Sequence, residues 1–217
     1  MIIAIDGPAG AGKTTISKRV CHRLGFVRLD TGAIYRAVAY TANAAGLTPN
    51  SDGLEAFVKT LDLSFTSAGV GLAGEPLEDK IRLPNISKLA SEFSAQPEVR
   101  RGLLELQRKL GRSQNSVVDG RDIGTVVFPD AELKVFLTAG IEERARRRWL
   151  ELKARGQEAD LIQIRDEIEA RDKADTEREI APLVQAEDAI LLDSTTMDIE
   201  AVVELIVAKA MGLGRTA

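Results

Sequence analysis

At 217 residues the chain can hold one large α/β domain with insertions or two small ones, and with 44% hydrophobic but only 4% aromatic content its core must be Leu, Ile, Val and Ala. A net charge of −4 excludes a global basic field for nucleic acid, so any anion site must be local. The single cysteine, Cys21, excludes an internal disulfide, and with His22 as the only histidine neither a zinc site nor a Ser-His-Asp triad is expected.

The chain opens on Met1-Ile2-Ile3-Ala4-Ile5-Asp6, an apolar run that predicts a buried strand over Ile2 to Ile5. Gly7-Pro8-Ala9-Gly10-Ala11-Gly12-Lys13-Thr14-Thr15 follows, and Gly7 to Thr14 fits G-x-x-x-x-G-K-[ST], the phosphate-binding P-loop. Gly7, Gly10 and Gly12 lack a Cβ, so the backbone can turn tightly and bring N–H groups against phosphate oxygens. Lys13 supplies a mobile charge for the outer phosphates, and Thr14 offers a hydroxyl to Mg²⁺. The helix expected from about Lys13 to Leu24 aims the positive end of its dipole at the same anion. It carries Ile16, Val20, Cys21 and Leu24 on one side, which makes Cys21 a core thiol. A bare Gly-rich turn would not explain a lysine and two hydroxyls after the last glycine. With a strand starting at residue 2 and no apolar run of membrane-span length, the protein is expected to be cytoplasmic.

Gly25 ends the first helix, and Phe26 to Asp30 predict a short strand. Asp30-Thr31-Gly32-Ala33-Ile34-Tyr35-Arg36 opens a second helix to about Ala45, with Asp30 or Thr31 as N-cap. A loop over residues 46–53 leads to a short helix, Leu54 to Leu61. From Asp62 to Leu83 the pattern alternates in the pairs Leu63/Phe65, Val70/Leu72 and Ile81/Leu83, separated by Thr66-Ser67-Ala68-Gly69 and by Gly71 and Gly74. This predicts a small antiparallel meander inserted into the chain. Helices follow over Ile86 to Ala95 and Pro97 to Gly111, the second started by its proline.

Asn115 to Gly120 predicts a buried strand ending in the carboxylate Asp119, and Leu133 to Leu137 another. Ile141 to Arg155 is an expected helix with Arg144, Arg146, Arg147 and Arg148, of which a helix cannot point all inward, so at least two should be solvated. Trp149 is expected to serve lid packing and not as a platform for a nucleotide base. A second charged helix spans Leu161 to about Thr176, a last strand Ala189 to Asp193, and a helix capped by Asp198 closes the chain from Ile199 to Ala210. Strands alternating with helices predict a five-stranded parallel sheet covered on both faces. Ligands of such sheets sit beyond the strand C-termini, so Gly7, Asp30, Asp119, Leu137 and Asp193 should share one rim.

Two further stretches carry chemistry besides the Asp30 to Arg36 segment. One is Asp119-Gly120-Arg121-Asp122-Ile123-Gly124-Thr125-Val126-Val127-Phe128-Pro129-Asp130. The other is Arg171-Asp172-Lys173-Ala174-Asp175-Thr176-Glu177-Arg178, followed by Ala181-Pro182-Leu183. Arg171 and Arg178 are two helical turns apart with Asp175 between them, a spacing that also suits a solvated salt-bridged helix. Together with the P-loop and the Leu192-Asp193-Ser194-Thr195 strand end, these stretches resemble the bacterial cytidylate kinases over nearly the whole chain. The resemblance implies an α/β P-loop NTPase fold of three layers, with a small antiparallel β insertion and a helical lid. It implies a P-loop core over 1–35, 110–143 and 178–217, and a CMP-binding region over 36–109 with the β insertion at about 62–83. The lid and its flanking helix would be 144–177.

The same resemblance implies transfer of the γ-phosphoryl group of ATP to CMP and dCMP, with Mg²⁺ held through Thr14. Asp119 is a further candidate to support the ion through water. Gly7 to Thr15 would hold ATP, and Lys13, Arg121 and Arg178 would act on the transferring group. Thr31, Arg36, Ser91, Arg100, Asp119, Arg121, Asp122, Arg171, Asp175 and Arg178 would hold CMP. A nucleoside monophosphate has a second phosphate pKa of about 6 and is largely dianionic at neutral pH, so no general base is needed. Catalysis would rest on positioning and charge neutralisation. The expected partners are small molecules, with no nucleic acid or membrane, and the chain is expected to act as a monomer. A shikimate- or adenylate-kinase-like activity is the nearest alternative. A switch GTPase is a more distant one: no aspartate is followed three residues later by glycine, and Asp172-Lys173-Ala174-Asp175 has Asp where the guanine motif needs Asn.

Overall fold

The computed structural model describes residues 1–66 and 69–214. The expected turn residues Ser67 and Ala68, and the expected end of the core at 215–217, lie outside the described residues. In chain order the elements are β1 (Ile2–Asp6), α1 (Lys13–Leu24), β2 (Val27–Asp30), α2 (Thr31–Ala44) and α3 (Leu54–Thr60). Next come β3 (Leu63–Thr66), β4 (Gly69–Leu72), β5 (Glu75–Pro76), α4 (Glu78–Ile81), α5 (Pro84–Ser94) and α6 (Pro97–Arg112). The chain continues through β6 (Ser116–Asp119), a π-helical turn (Ile123–Val127), β7 (Leu133–Thr138), α7 (Ile141–Ala154), α8 (Leu161–Glu177), β8 (Ile190–Asp193) and α9 (Ile199–Leu213).

The fold is α/β: one five-stranded sheet of order β2-β6-β1-β7-β8 and a separate three-stranded antiparallel sheet of order β3-β4-β5. In the large sheet β1 pairs parallel with β6, Ile2 opposite Ser116 and Ile5 opposite Asp119, and with β7, Ile3 opposite Leu133 and Asp6 opposite Phe136. β8 joins β7 in parallel with Asp193 opposite Thr138. Gly7, Asp119, Leu137 and Asp193 therefore lie at one edge, as the alternation of strands and helices requires. The chain divides into two compact units, Met1–Arg28 with Asn115–Ala217, and Leu29–Gln114.

In the first unit β1 is buried along its whole length, which is why it reads as an unbroken apolar run. Ile3, Ile5, Val117, Val135 and Leu137 of the sheet pack with Ile16, Val20 and Cys21 of α1 and with Val202, Val203, Ile206 and Ala210 of α9. Burial pushes the Cys21 thiol up to about 12, so it is a core group and not a nucleophile. α7 and α8 pair around Ala145, Ile164 and Ile168, with Trp149, Leu152 and Ala159 on the flank. The Trp149 indole donates to the Ala159 carbonyl at 3.1 Å, which accounts for its packing role. Among the described residues no helix is long and apolar enough to cross a membrane.

In the second unit Asp30 caps α2 by accepting from the Ala33 N–H at 2.9 Å. α2 packs on α5 and α3 on α6, around Ile34, Val38, Phe93, Val99 and Leu103. The β insertion differs from expectation in its third strand. The pair Ile81/Leu83 does not form a strand: Ile81 ends the short helix α4 and is fully buried, and the third strand is Glu75–Pro76. The reason is the turn between β4 and β5. Ala73 and Gly74 both have positive φ, 50° and 82°, which reverses the chain within two residues. Pro76 then has no N–H to extend the ladder.

Candidate active site

The first unit holds the phosphate loop between β1 and α1. Gly7 has φ +148°, and a Cβ there would fall 1.9 Å from the Leu137 carbonyl oxygen of β7, so only glycine fits. Gly12, at φ 93°, caps α1, and its carbonyl accepts from Thr15 and Ile16 N–H at 3.0 Å. Lys13 is folded back along the loop, its Nζ donating to the Gly7 carbonyl at 2.6 Å and the Pro8 carbonyl at 2.8 Å. Burial, and then the charge of Arg121, push its ammonium well below the ordinary lysine value. A triphosphate would reverse that penalty. The Ala9 N–H is already given to Asp172, so it is not among the loop amides left for phosphate.

Thr14 stands exposed at the start of α1. Its Oγ1 accepts from Arg28 Nη2 at 3.3 Å, and the same guanidinium grips both carboxylate oxygens of Asp119 at 2.8 and 2.9 Å. The hydroxyl and the buried carboxylate are hard oxygen donors of the kind Mg²⁺ takes alongside substrate phosphates, and an ion at this place would have to displace the Arg28 guanidinium that bonds to both. Among the described residues no group of three or more His, Cys, Asp or Glu side chains could hold a metal alone. The residues fit an ion that arrives with a nucleotide. Arg28 was not marked by the sequence, since nothing distinguishes a lone arginine in a short strand.

Past β6, the Asp119 to Asp130 stretch turns through the π-helical segment. That turn is held by Asp6, whose two oxygens accept from the Ile123 N–H at 2.8 Å and the Gly124 N–H at 2.7 Å. Burial pushes the Asp6 carboxyl up from 3.8 to about 6, against the two backbone bonds that favour the charge. That difference is worth about 3 kcal/mol. The sign is that of a raised carboxyl: the stability it lends is full below the unfolded value of 3.8 and is lost as pH rises through about 6. Relative to Asp6→Asn, which cannot titrate, wild type should therefore gain about 2 kcal/mol of unfolding free energy between about pH 7 and about pH 4.5. Urea denaturation of both proteins at the two pH values checks this, and a pH-independent gap would contradict it.

The C-terminal end of α8 and the residues after β6 meet on one carboxylate. Asp175 Oδ2 lies 2.7 Å from Arg121 Nε and 3.9 Å from Arg171 Nε, and Oδ1 lies 3.6 Å from Arg178 Nη1. Burial alone would raise the Asp175 carboxyl, but Arg121, Arg171 and then Arg178 together hold it below the ordinary aspartate value. Arg178 is the first residue beyond the helix, with extended backbone, so it does not continue the helical face on which the sequence places it. It still joins Arg171 at Asp175, and it also pairs with Asp122 Oδ1 at 3.3 Å and donates to the Ala181 carbonyl at 2.6 Å. Arg178 is only 6% exposed, which rules out a solvated salt-bridged face there. On α7 the four arginines split as a helix must split them. Arg144 is buried against the phosphate loop and Arg147 donates to Ser194, while Arg146 and Arg148 pair with Glu143 and Glu151 in solvent.

The second unit carries its own candidates. Thr31 is buried at the first position of α2, and Arg36 pairs with the capping residue Asp30 at 3.5 Å. Arg100 is buried, donates to the Ser94 carbonyl at 3.0 Å and lies 5.5 Å from the Tyr35 ring centroid. Ser91 sits on α5 and its carbonyl accepts from Ser94 Oγ at 2.9 Å, so it adjoins Arg100 through Ser94. Tyr35 was within a stretch singled out from the sequence, but its position under a guanidinium depends on α6 and is not a local property.

The family model described as cytidylate kinase matches residues 3–211. The chain is 50% identical over 209 residues to a protein named cytidylate kinase from Syntrophotalea carbinolica, covering 94% of this chain and 89% of that one. It is 48% identical over 213 residues to a cytidylate kinase from Pseudomonas aeruginosa, covering 95% and 93%. Among solved structures, an uncharacterized protein from Eubacterium ventriosum shares the fold alone, with a TM-score of 0.53 at 13% identity over 96% of this chain and 97% of that one. The motifs, the sheet order and a match that spans almost every element lead to one conclusion: the chain belongs to the cytidylate kinase family.

Proposed function

We infer that the chain transfers the γ-phosphoryl group of ATP to CMP, and also to dCMP, giving ADP and CDP or dCDP. The observation that carries the reading is a phosphate loop with its lysine and, in the same compact unit, the Arg121–Asp175–Arg178 cluster. In the reaction the bond from the γ-phosphorus to the ADP oxygen breaks and one to a CMP phosphate oxygen forms. The acceptor is already ionised, so no side chain has to take a proton. Gly7 to Thr15 hold the triphosphate, and Lys13, Arg121 and Arg178 neutralise charge on the transferring group. Thr14, and Asp119 through water, are the residues that would hold Mg²⁺, which when bound offsets phosphate charge. Thirty-five N-terminal residues with 110–143 and 178–217 make the catalytic core in this reading, 36–109 the CMP-binding region and 144–177 the lid. The protein works as a monomer in the cytoplasm, where free nucleotides are the substrates.

CMP is held by Thr31, Arg36, Ser91, Arg100, Asp119, Arg121, Asp122, Arg171, Asp175 and Arg178. Asp122 and Ser91 accept from the cytosine amino group, and Arg100 donates to N3 and O2. Uracil presents an acceptor to Asp122 and an N–H to Arg100, and each such mismatch is worth roughly 1–3 kcal/mol. ADP release measured across CMP, dCMP, UMP, AMP and shikimate should show CMP and dCMP as substrates, with UMP at least about tenfold poorer in kcat/KM. Turnover of shikimate or AMP in preference to CMP would overturn the reading in favour of another P-loop kinase. Asp122→Asn should narrow the CMP/UMP ratio. An unchanged ratio would leave Asp122 only the role of holding Arg178, its partner in the structure.

A further inference from the structure

One residue of the phosphate loop, Ala9, is held by α7 and α8 through both its N–H and its carbonyl. The Ala9 N–H donates to Asp172 Oδ1 at 2.9 Å, and the Ala9 carbonyl accepts from Arg144 Nη1 at 2.8 Å. Arg144 Nη1 also pairs with Asp172 Oδ2, and Arg144 Nε donates to the Ala139 carbonyl beyond β7 at 2.8 Å. The Ala9 methyl lies in the apolar cluster of Ala145, Ile164 and Ile168. At Gly10 a Cβ would come within 3.1 Å of the Arg144 Cβ, so the loop runs directly against the α7 backbone. Arg144 is 7% exposed and the Asp172 side chain 18%, so the arginine is the shielded partner and losing the carboxylate leaves its charge buried and unmatched.

We propose that Arg144 and Asp172 are positioning residues that set the phosphate loop at Ala9 and so aim the amides after it at the ATP phosphates. The inference rests on the kinase reading above and assigns these two residues no contact with substrate. A glycine-rich loop has little conformational preference of its own, and misaiming a phosphate cradle by about 1 Å can cost on the order of a hundredfold. Asp172 lies one helical turn before Asp175 on α8, so the helix that organises Arg121 and Arg178 also holds the donor loop. The effect of breaking the pair should nonetheless fall on the donor, because Asp172 and Arg144 bond to the loop and not to the Asp175 cluster.

The test uses equilibrium binding of a non-hydrolysable ATP analogue and of CMP, each alone, to the full chain. Asp172→Asn keeps an acceptor for the Ala9 N–H but loses the ion pair, whereas Asp172→Leu loses both. Analogue binding should weaken by about threefold to tenfold in Asp172→Asn and by about thirtyfold or more in Asp172→Leu, with CMP within about twofold of wild type. Arg144→Lys keeps the charge but cannot reach the Ala9 and Ala139 carbonyls together. It should cost about tenfold in analogue affinity, and it decides the matter with Asp172→Asn if the leucine variant does not fold. Unchanged analogue affinity, or equal weakening of analogue and CMP, would overturn the proposal. Wild type that binds the analogue but not CMP would instead overturn the substrate reading.

Discussion

Lys13→Ala is expected to lower kcat/KM by about a hundredfold or more while leaving the protein folded. In the proposed reaction Lys13 is the P-loop side chain that follows the transferring phosphoryl group, and removing one such preorganised charge costs roughly 2.7–4 kcal/mol. The structure adds a reason why folding should survive. The ammonium is buried against two carbonyls and near Arg121, so its charged form is disfavoured until an anion arrives. Removing it relieves that penalty. A coupled ADP-release assay with a thermal melt of the same sample checks both halves. Retention of more than about a tenth of the wild-type rate would sink the assignment, since that corresponds to less than about 1.4 kcal/mol.

Asp175→Ala should be the most damaging substitution outside the phosphate loop. Its carboxylate is shared by Arg121, Arg171 and Arg178, at 2.7, 3.9 and 3.6 Å. Without it these guanidinium groups repel one another in a site where Arg178 is almost dry. Breaking a buried pair from one side typically costs about 3–5 kcal/mol. The substitution should therefore lower the melting temperature and reduce kcat as well as raising the KM for CMP, because Arg121 and Arg178 lose their aim together. Sulfate or phosphate should restore more stability to the variant than to wild type, since an anion can occupy the vacated charge position. A rise in KM alone, with kcat and the melting temperature unchanged, would mean that Asp175 only touches the substrate. The carboxyl is held below its ordinary value, so its own contribution to stability is present at neutral pH. That contribution is lost only as pH falls below the unfolded value of 3.8 and through the lower folded one.

What the residues alone determined was local chemistry and pattern. Three glycines, a lysine and a threonine at fixed spacing admit almost one use, and the flanking strand and helix follow from the unbroken run Ile2 to Ile5 and the spacing of Ile16, Val20 and Cys21. The parallel sense of the sheet follows the same way, from apolar strands that alternate with helices along most of the chain, although only a π-helical turn separates β6 from β7. The insertion is legible as β structure, but the position of its third strand, Glu75–Pro76, is not. Two positive-φ residues at Ala73 and Gly74 decide where the chain turns, and apolar alternation does not report φ. Helical spacing said that Arg144, Arg146, Arg147 and Arg148 must divide between inside and outside, but not which would be buried. That depends on the position of Ala9, 135 residues away in the chain from Arg144. Asp6 and Arg28 are ordinary polar residues in sequence, and Asp172 is one member of a charged stretch with nothing to mark its own partner; those partners lie 117, 91 and 163 positions distant. Long-range hydrogen bonds of this kind leave no periodicity. They are decided by which strand ends and helix faces the tertiary structure brings within about 3 Å.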